Sequence, residues 1–217
     1  MKLLLYGAGG LAKEIYDIVV RCYPDKYEEI YFIDDFVEEA PFYQSETIHF
    51  DSIKKRFEKL DEIEGVVAVG EPAHRDKLSK KFDDIGIKLA RVIDKTALIS
   101  PTAKIKEGTI VCEFSTVHAD VELGRSVLIQ PYSDVGHDIK VGDYSVLSSN
   151  CAPGGKSVFG ERVYVGMNAT TKEKISVGND SIIAMGASVF RNVDAETVVM
   201  GNPARVTKGN SQHRVFE

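Results

Sequence analysis

The sequence predicts two units in tandem, a small α/β domain on a parallel sheet followed by a parallel β-helix of six-residue repeats. Three observations carry that expectation. A period of six runs from about Ile99 to Val193, short apolar strands alternate with helical patterns before it, and a glycine-rich turn follows the first strand. The expected units are residues 1–93, a Rossmann-like domain that binds a nucleotide-sized ligand, and residues 94–207, the β-helix with its C-terminal cap. Residues 208–217 are polar and are expected to form a mobile tail.

The first strand is read at Leu3 to Tyr6, followed by the turn Gly7-Ala8-Gly9-Gly10-Leu11-Ala12 and a helical pattern to about Cys22. Ile30 to Ile33 makes a second strand ending in Asp34-Asp35, and Val66 to Val69 a third, ending in Gly70. A helix from about Pro72 to Phe82 then starts with proline in its first turn, where the missing N–H costs nothing. Strands alternating with helices imply ligands at the carboxyl ends of the strands.

The glycine turn fits G-x-G-x-x-A, which lets backbone approach a pyrophosphate at a helix N-terminus; a tight turn with no ligand is the plainer alternative. Fewer than 100 residues precede the repeat, too few for both halves of a dinucleotide-binding dehydrogenase. Asp34 and Asp35 either cap a loop or hydrogen-bond a base or ribose.

In the repeat, every sixth residue from Ile99 is large: Ile105, Val111, Val117, Leu123, Ile129, Val135, Val141, Leu147 and so on to Val189. Only Pro153 and Thr171 in that series are neither aliphatic nor aromatic. Four residues after each stands an uncharged, non-aromatic partner, the series running from Ala103 and Thr109 through Ser133, Ser145 and Ser157 to Val193. Three hexads close a triangular coil of about 18 residues, with the large residue on the axis and the small one in the corner. Glycine follows the large residue at Gly124, Gly136, Gly142, Gly160, Gly166 and Gly178, and is read as a bend residue with positive φ. Successive coils, about 4.8 Å apart, satisfy each other's backbone groups.

Composition narrows the function classes. A formal charge of −6 with both signs interspersed leaves no basic stripe for nucleic acid. The opening apolar run stops at Gly7, short of a signal sequence, and no stretch approaches the roughly 20 apolar residues of a membrane span. Cys22, Cys112 and Cys151 match neither a disulfide framework nor a zinc site, so a reducing cytoplasm is expected.

Only His118 and His137 lie inside the repeat. A neutral imidazole is the side chain best suited to take a proton near pH 7, and His137 follows Gly136 with Asp138 beside it to orient the ring. A surface histidine on a solvated corner is the rival reading. His118, 19 residues earlier, is expected near the same edge without a direct catalytic role. An open catalytic zinc site needs three protein ligands, so no metal is expected.

These segments together resemble the bacterial sugar acetyltransferases that act on UDP-4-amino sugars or sialic acid. The marks are Tyr6-Gly7-Ala8-Gly9-Gly10, Phe32-Ile33-Asp34-Asp35, Ala68-Val69-Gly70 with Arg75, and Ala97-Leu98-Ile99-Ser100-Pro101-Thr102-Ala103. They continue with Gly136-His137-Asp138-Ile139-Lys140-Val141-Gly142-Asp143 and Gly201-Asn202-Pro203-Ala204-Arg205. The resemblance implies a left-handed coil and a homotrimer, with acetyl-CoA in the groove between neighbouring β-helices and a sugar nucleotide in the N-terminal domain. It makes His137 the general base and Asp138 its carboxylate. Gly9, Gly10, Leu11, Asp34 and Asp35 match positions that contact the nucleotide sugar, with Gly70 a further candidate, while Gly155, Met167 and Met185 fall near the CoA groove. Where relatives carry a second histidine nine residues after the base, this chain has Val146, and Glu71-Pro72 replaces amide side chains. The expected function is therefore N-acetylation of a nucleotide-linked amino sugar. The alternatives are O-acetylation of sialic acid or another surface sugar, and a non-catalytic scaffold.

Overall fold

The computed structural model describes residues 1–36 and 39–216. The N-terminal unit is a sheet built from β1 (Lys2–Tyr6), β2 (Glu29–Ile33), β3 (Pro41–Phe42), β4 (Ser45–Ile48), β5 (Ile63–Val67) and β6 (Lys88–Leu89), in the order β3-β4-β2-β1-β5-β6. All neighbours are parallel except the β3–β4 hairpin. β1 is flanked by β2 and β5, so the strand order reverses there, and the crevice beyond its carboxyl end is where such sheets bind ligands. Helix α1 (Gly10–Cys22) buries Ala12, Ile15, Ile18, Val19 and Cys22, an i, i+3, i+4 stripe. A short α2 (Ile53–Arg56) and the longer α3 (Pro72–Asp84) complete the layers.

The remainder is a triangular coil whose two-residue rungs stack at intervals of 18. The first face carries Val92–Ile93, Ile110–Val111, Leu128–Ile129, Val146–Leu147, Tyr164–Val165 and Ile182–Ile183. The second carries Leu98–Ile99, Thr116–Val117 and Asp134–Val135, continued above by Thr170–Thr171 and Ser188–Val189. The third carries Lys104–Ile105, Glu122–Leu123, Lys140–Val141, Val158–Phe159 and Ser176–Val177. The axis is filled by the predicted large residues, among them Leu123, Ile129, Val135, Leu147 and Phe159, each 0–1% exposed. Burying such a side chain is worth about 1.5–3 kcal/mol.

Four sequence expectations need correction. The coil starts earlier than Ile99, because Val92–Ile93 already pairs with Ile110–Val111. The six repeat glycines are not the left-handed residues. Positive φ falls two positions later, at residues such as Ser126, Asp138, Tyr144, Arg162, Asn168 and Asp180. Each glycine instead sits where the next coil passes so closely that an added Cβ would lie 2.2–2.9 Å from its atoms. The small corner residues also do more than fit. Thr109, Ser115, Ser133 and Ser145 each donate a hydroxyl hydrogen bond of 2.7–2.9 Å to a carbonyl 15 residues ahead. Finally, the tail does not trail free. A closing hairpin, Thr197–Gly201 with Ala204–Gly209, leads into residues 210–216, which fold back onto the N-terminal unit.

The two units share a core along the first face. Ile110, Leu128 and Val146 point outward from the coil, yet they are buried against Leu3, Leu5, Ala12, Ile15 and Val19. Helix α3 is fixed to the adjoining corner. Arg75, wholly buried, donates to Ser126 O at 2.8 Å, Val67 O at 2.9 Å and Val69 O at 2.8 Å, so one side chain ties the coil to the end of β5. Burial pulls the Arg75 guanidinium down to about 9, and its three carbonyl acceptors give the buried donors partners. Arg125 reaches Asp83 at 2.7 and 2.5 Å beside it.

Candidate functional site

The glycine turn opens onto a cavity of about 450 Å³ at the carboxyl ends of β1, β2 and β5. Gly7 has φ +128°, and a Cβ there would lie 2.7 Å from Ala68 O, so only glycine turns the chain at this point. Gly9 and Gly10 face open space, with no atom within 4 Å of where a Cβ would stand. The N-terminus of α1 therefore presents N–H groups and the positive end of its dipole to the cavity. Gly9, Gly10, Leu11, Asp34, Asp35 and Gly70, the predicted substrate residues, all line it. His74, Lys77 and Lys81 of α3 form a basic wall that sequence reading missed, although their spacing of three and four residues puts them on one helical face.

The two aspartates differ in what they have left to offer. Asp35 accepts from Tyr6 OH at 2.5 Å, Lys81 Nζ at 2.8 Å and Phe50 N at 3.0 Å. Burial pushes its carboxyl up, but Lys81, Tyr6 and the Phe50 N–H outweigh that and hold it below the usual range. Burial and the Asp35 charge together push the Tyr6 phenol well above its ordinary value. Asp35 thus buttresses the pocket. Asp34 accepts only Phe36 N, at 2.9 Å, among the described residues, and lines the cavity.

The second cluster is on the coil. Residues 136–139 form the corner between the second and third faces, opposite the first face that carries the N-terminal unit. Asp138 is left-handed, with φ +60°, and its N–H donates to Ala119 O at 2.9 Å. That conformation sets its carboxylate 2.6 Å from His137 Nδ1. The hydrogen bond from His137 holds the Asp138 carboxyl below its usual range. An ionised carboxylate only accepts, so Nδ1 faces it as a donor, and in the neutral ring the lone pair is then on Nε2. The ring lies over Gly155, where an added Cβ would come within 2.9 Å of Nε2. Lys156 N donates to His137 O at 2.8 Å, fixing the backbone from the next coil.

The other predicted residues distribute differently. His118 sits one coil below, its ring 2.8 Å from Asp134 and not joined to His137. Met167 and Met185 stand exposed on the corner between the first and second faces, so one protomer brings Gly155, but neither methionine, to His137. Val146 is 1% exposed and packs in the core between the units; in this chain that position is apolar packing. Among the described residues no three His, Cys, Asp or Glu side chains come together as a metal site. No helix among them is long and apolar enough to cross a membrane.

Comparison with known proteins agrees with this architecture. Residues 2–82 match the PglD N-terminal domain family. The chain is 25% identical over 147 residues to GDP-perosamine N-acetyltransferase of Escherichia coli O157:H7, an alignment covering 65% of this chain and 66% of that protein. It spans no more than about two thirds of the length of the curated relatives it matches. The acetyltransferase domain of PglB from Neisseria gonorrhoeae FA1090 superposes with a TM-score of 0.88 at 25% identity, covering 95% of this chain and 99% of that one. WeeI from Acinetobacter baumannii AYE gives 0.89 at 26%, covering 95% and 100%. The sheet with its glycine turn, the six-residue coil and these likenesses agree, and over most of its length the chain is similar to hexapeptide-repeat sugar acetyltransferases.

Proposed function

We propose that the protein transfers an acetyl group from acetyl-CoA to the amine of a nucleotide-linked amino sugar, with His137 as general base. The observation that carries this reading is the His137–Asp138 pair at 2.6 Å, which leaves Nε2 free on an open corner of the coil. The acceptor amine attacks the thioester carbonyl as Nε2 takes its proton; the new N–C bond forms, the C–S bond breaks, and the proton passes to the departing thiolate. The glycine-turn cavity, with helix dipole and basic wall, suits the diphosphate of a sugar nucleotide. Support also comes from the E. coli relative, named for GDP-perosamine, and from the Neisseria domain solved with acetyl coenzyme A.

The cavity of one protomer and its own His137 lie on opposite sides of the coil, so a complete site needs a second copy. A closed trimer meets this need, setting the His137–Gly155 corner of one copy against the Met167–Met185 corner of the next as the CoA groove. Three free, buried cysteines suit a reducing cytoplasm as the compartment of the reaction. The test is release of free CoA thiol from acetyl-CoA with GDP-, UDP- and dTDP-linked amino sugars. Thiol release with one nucleotide class, lost in His137→Ala, is expected; no release with any of them overturns the reading.

A further inference from the structure

The tail is held too specifically to be a loose end. Asn210 is buried, donating to Asp180 O at 2.8 Å and accepting from Arg214 N at 3.1 Å. His213 lies 3.0 Å from Glu196. Beyond it, Val215 N and Phe216 N both donate to the carboxylate of Glu71, at 3.1 and 3.0 Å. Glu71 is 6% exposed and makes no cap to its own helix α3. A buried carboxylate needs donors, and the tail backbone supplies them.

This clip carries the Phe216 ring to the rim of the glycine-turn cavity. Its Cε2 lies 3.8 Å from where a Cβ on Gly70 would stand, with Leu11 Cδ2 at 4.0 Å, and both Gly70 and Leu11 line the cavity. One edge packs on Tyr164, centroids 5.6 Å apart, yet half of Phe216 stays exposed. The sheet order β2-β1-β5 sets three features in a row: Asp34 at the end of β2, the glycine turn after β1, and Gly70 with Phe216 after β5. A nucleotide sugar laid along that row has its base by Asp34, its diphosphate at the turn and its hexose by Phe216.

We propose that Phe216 is a substrate-contact residue that packs against the apolar C–H face of the hexose, selecting sugars that present such a face, and that Glu71 is the positioning residue that holds it there. This rests on the function proposed above. The experiment compares wild type, Phe216→Ala and Glu71→Gln in two measurements: binding of the nucleoside diphosphate alone, and KM for the matching nucleotide amino sugar. Phe216→Ala should raise that KM about tenfold, the loss of one aromatic packing contact, while nucleoside diphosphate affinity and the KM for acetyl-CoA stay within about twofold. Glu71→Gln should move the same KM in the same direction and raise amide hydrogen exchange at residues 211–216, which Phe216→Ala leaves protected. An unchanged KM in Phe216→Ala, or equal weakening of the nucleoside diphosphate, overturns the proposal while leaving the proposed function standing. A wild-type protein that neither binds a nucleoside diphosphate nor uses any nucleotide amino sugar overturns both.

Discussion

Single atoms decide much at the His137 corner. In the proposed reaction Nε2 acts as a base only if Asp138 keeps the proton on Nδ1 and if Gly155 leaves the ring its place. His137→Ala should lower kcat by about 10²–10⁴, the range of a positioned general base, with the melting temperature unchanged. Gly155→Ala should lower kcat at least about tenfold, because a methyl 2.9 Å from Nε2 must displace the ring. Its KM for the sugar nucleotide should hold, since the nucleotide cavity is elsewhere; a wild-type kcat in Gly155→Ala would show that the ring position is not critical. Much of this corner was legible in the sequence, since a lone Gly-His-Asp in register with the hexads marks an outward, oriented imidazole. Gly155 was legible only as a residue of the CoA groove; its place beneath the ring was not, because it lies 18 residues away and becomes a neighbour once the coil is closed.

Among elements, each coil depends on hydroxyls at its corners and each unit on a few fixed contacts. Ser145 donates to Gly160 O and accepts from Val163 N at 3.0 Å, so Ser145→Ala orphans one part-buried and one buried backbone group and should cost about 1–3 kcal/mol in chemical denaturation. A cost near zero would mean that the corner needs only small volume. Asp94 joins α1 to the first coil through Arg21, Cys22 and the Thr96 N–H at 2.8 Å. Burial pushes its carboxyl up, but the Thr96 donors and Arg21 win and hold it at about 2. A carboxyl whose value is lower folded than unfolded stabilises above the unfolded value of about 3.9, and that contribution is lost as pH falls from about 4 to about 2. Asp94→Asn should therefore be less stable at pH 7 and lose less stability than wild type between pH 4 and 2; parallel losses would remove Asp94 from the acid transition.

For the whole molecule, the hexad period made the coil readable from one sequence, because every turn repeats one packing problem. The docking of the N-terminal unit was equally encoded and went unread. Ile110, Leu128, Val146 and Tyr164 are apolar or aromatic at outward positions every 18 residues, a second period that marks the covered face. The tail escaped because its anchors, Glu71 and Tyr164, are distant in sequence and its composition is polar. The cavity lies on one side of the coil and His137 on the other, so the reaction proposed above draws its site from two copies.

Complementation between copies tests that composite site. Gly10→Asp places a carboxylate in the open space meant for a diphosphate, and His137→Ala removes the base, so each variant alone should be inactive. Co-expressed in equal amounts and purified as mixed trimers, they should regain about one third of wild-type turnover, since one of the three subunit boundaries in either mixed trimer pairs an intact cavity with an intact base. Mixed oligomers as inactive as either parent, beside an active wild type, would mean that each copy works with its own histidine.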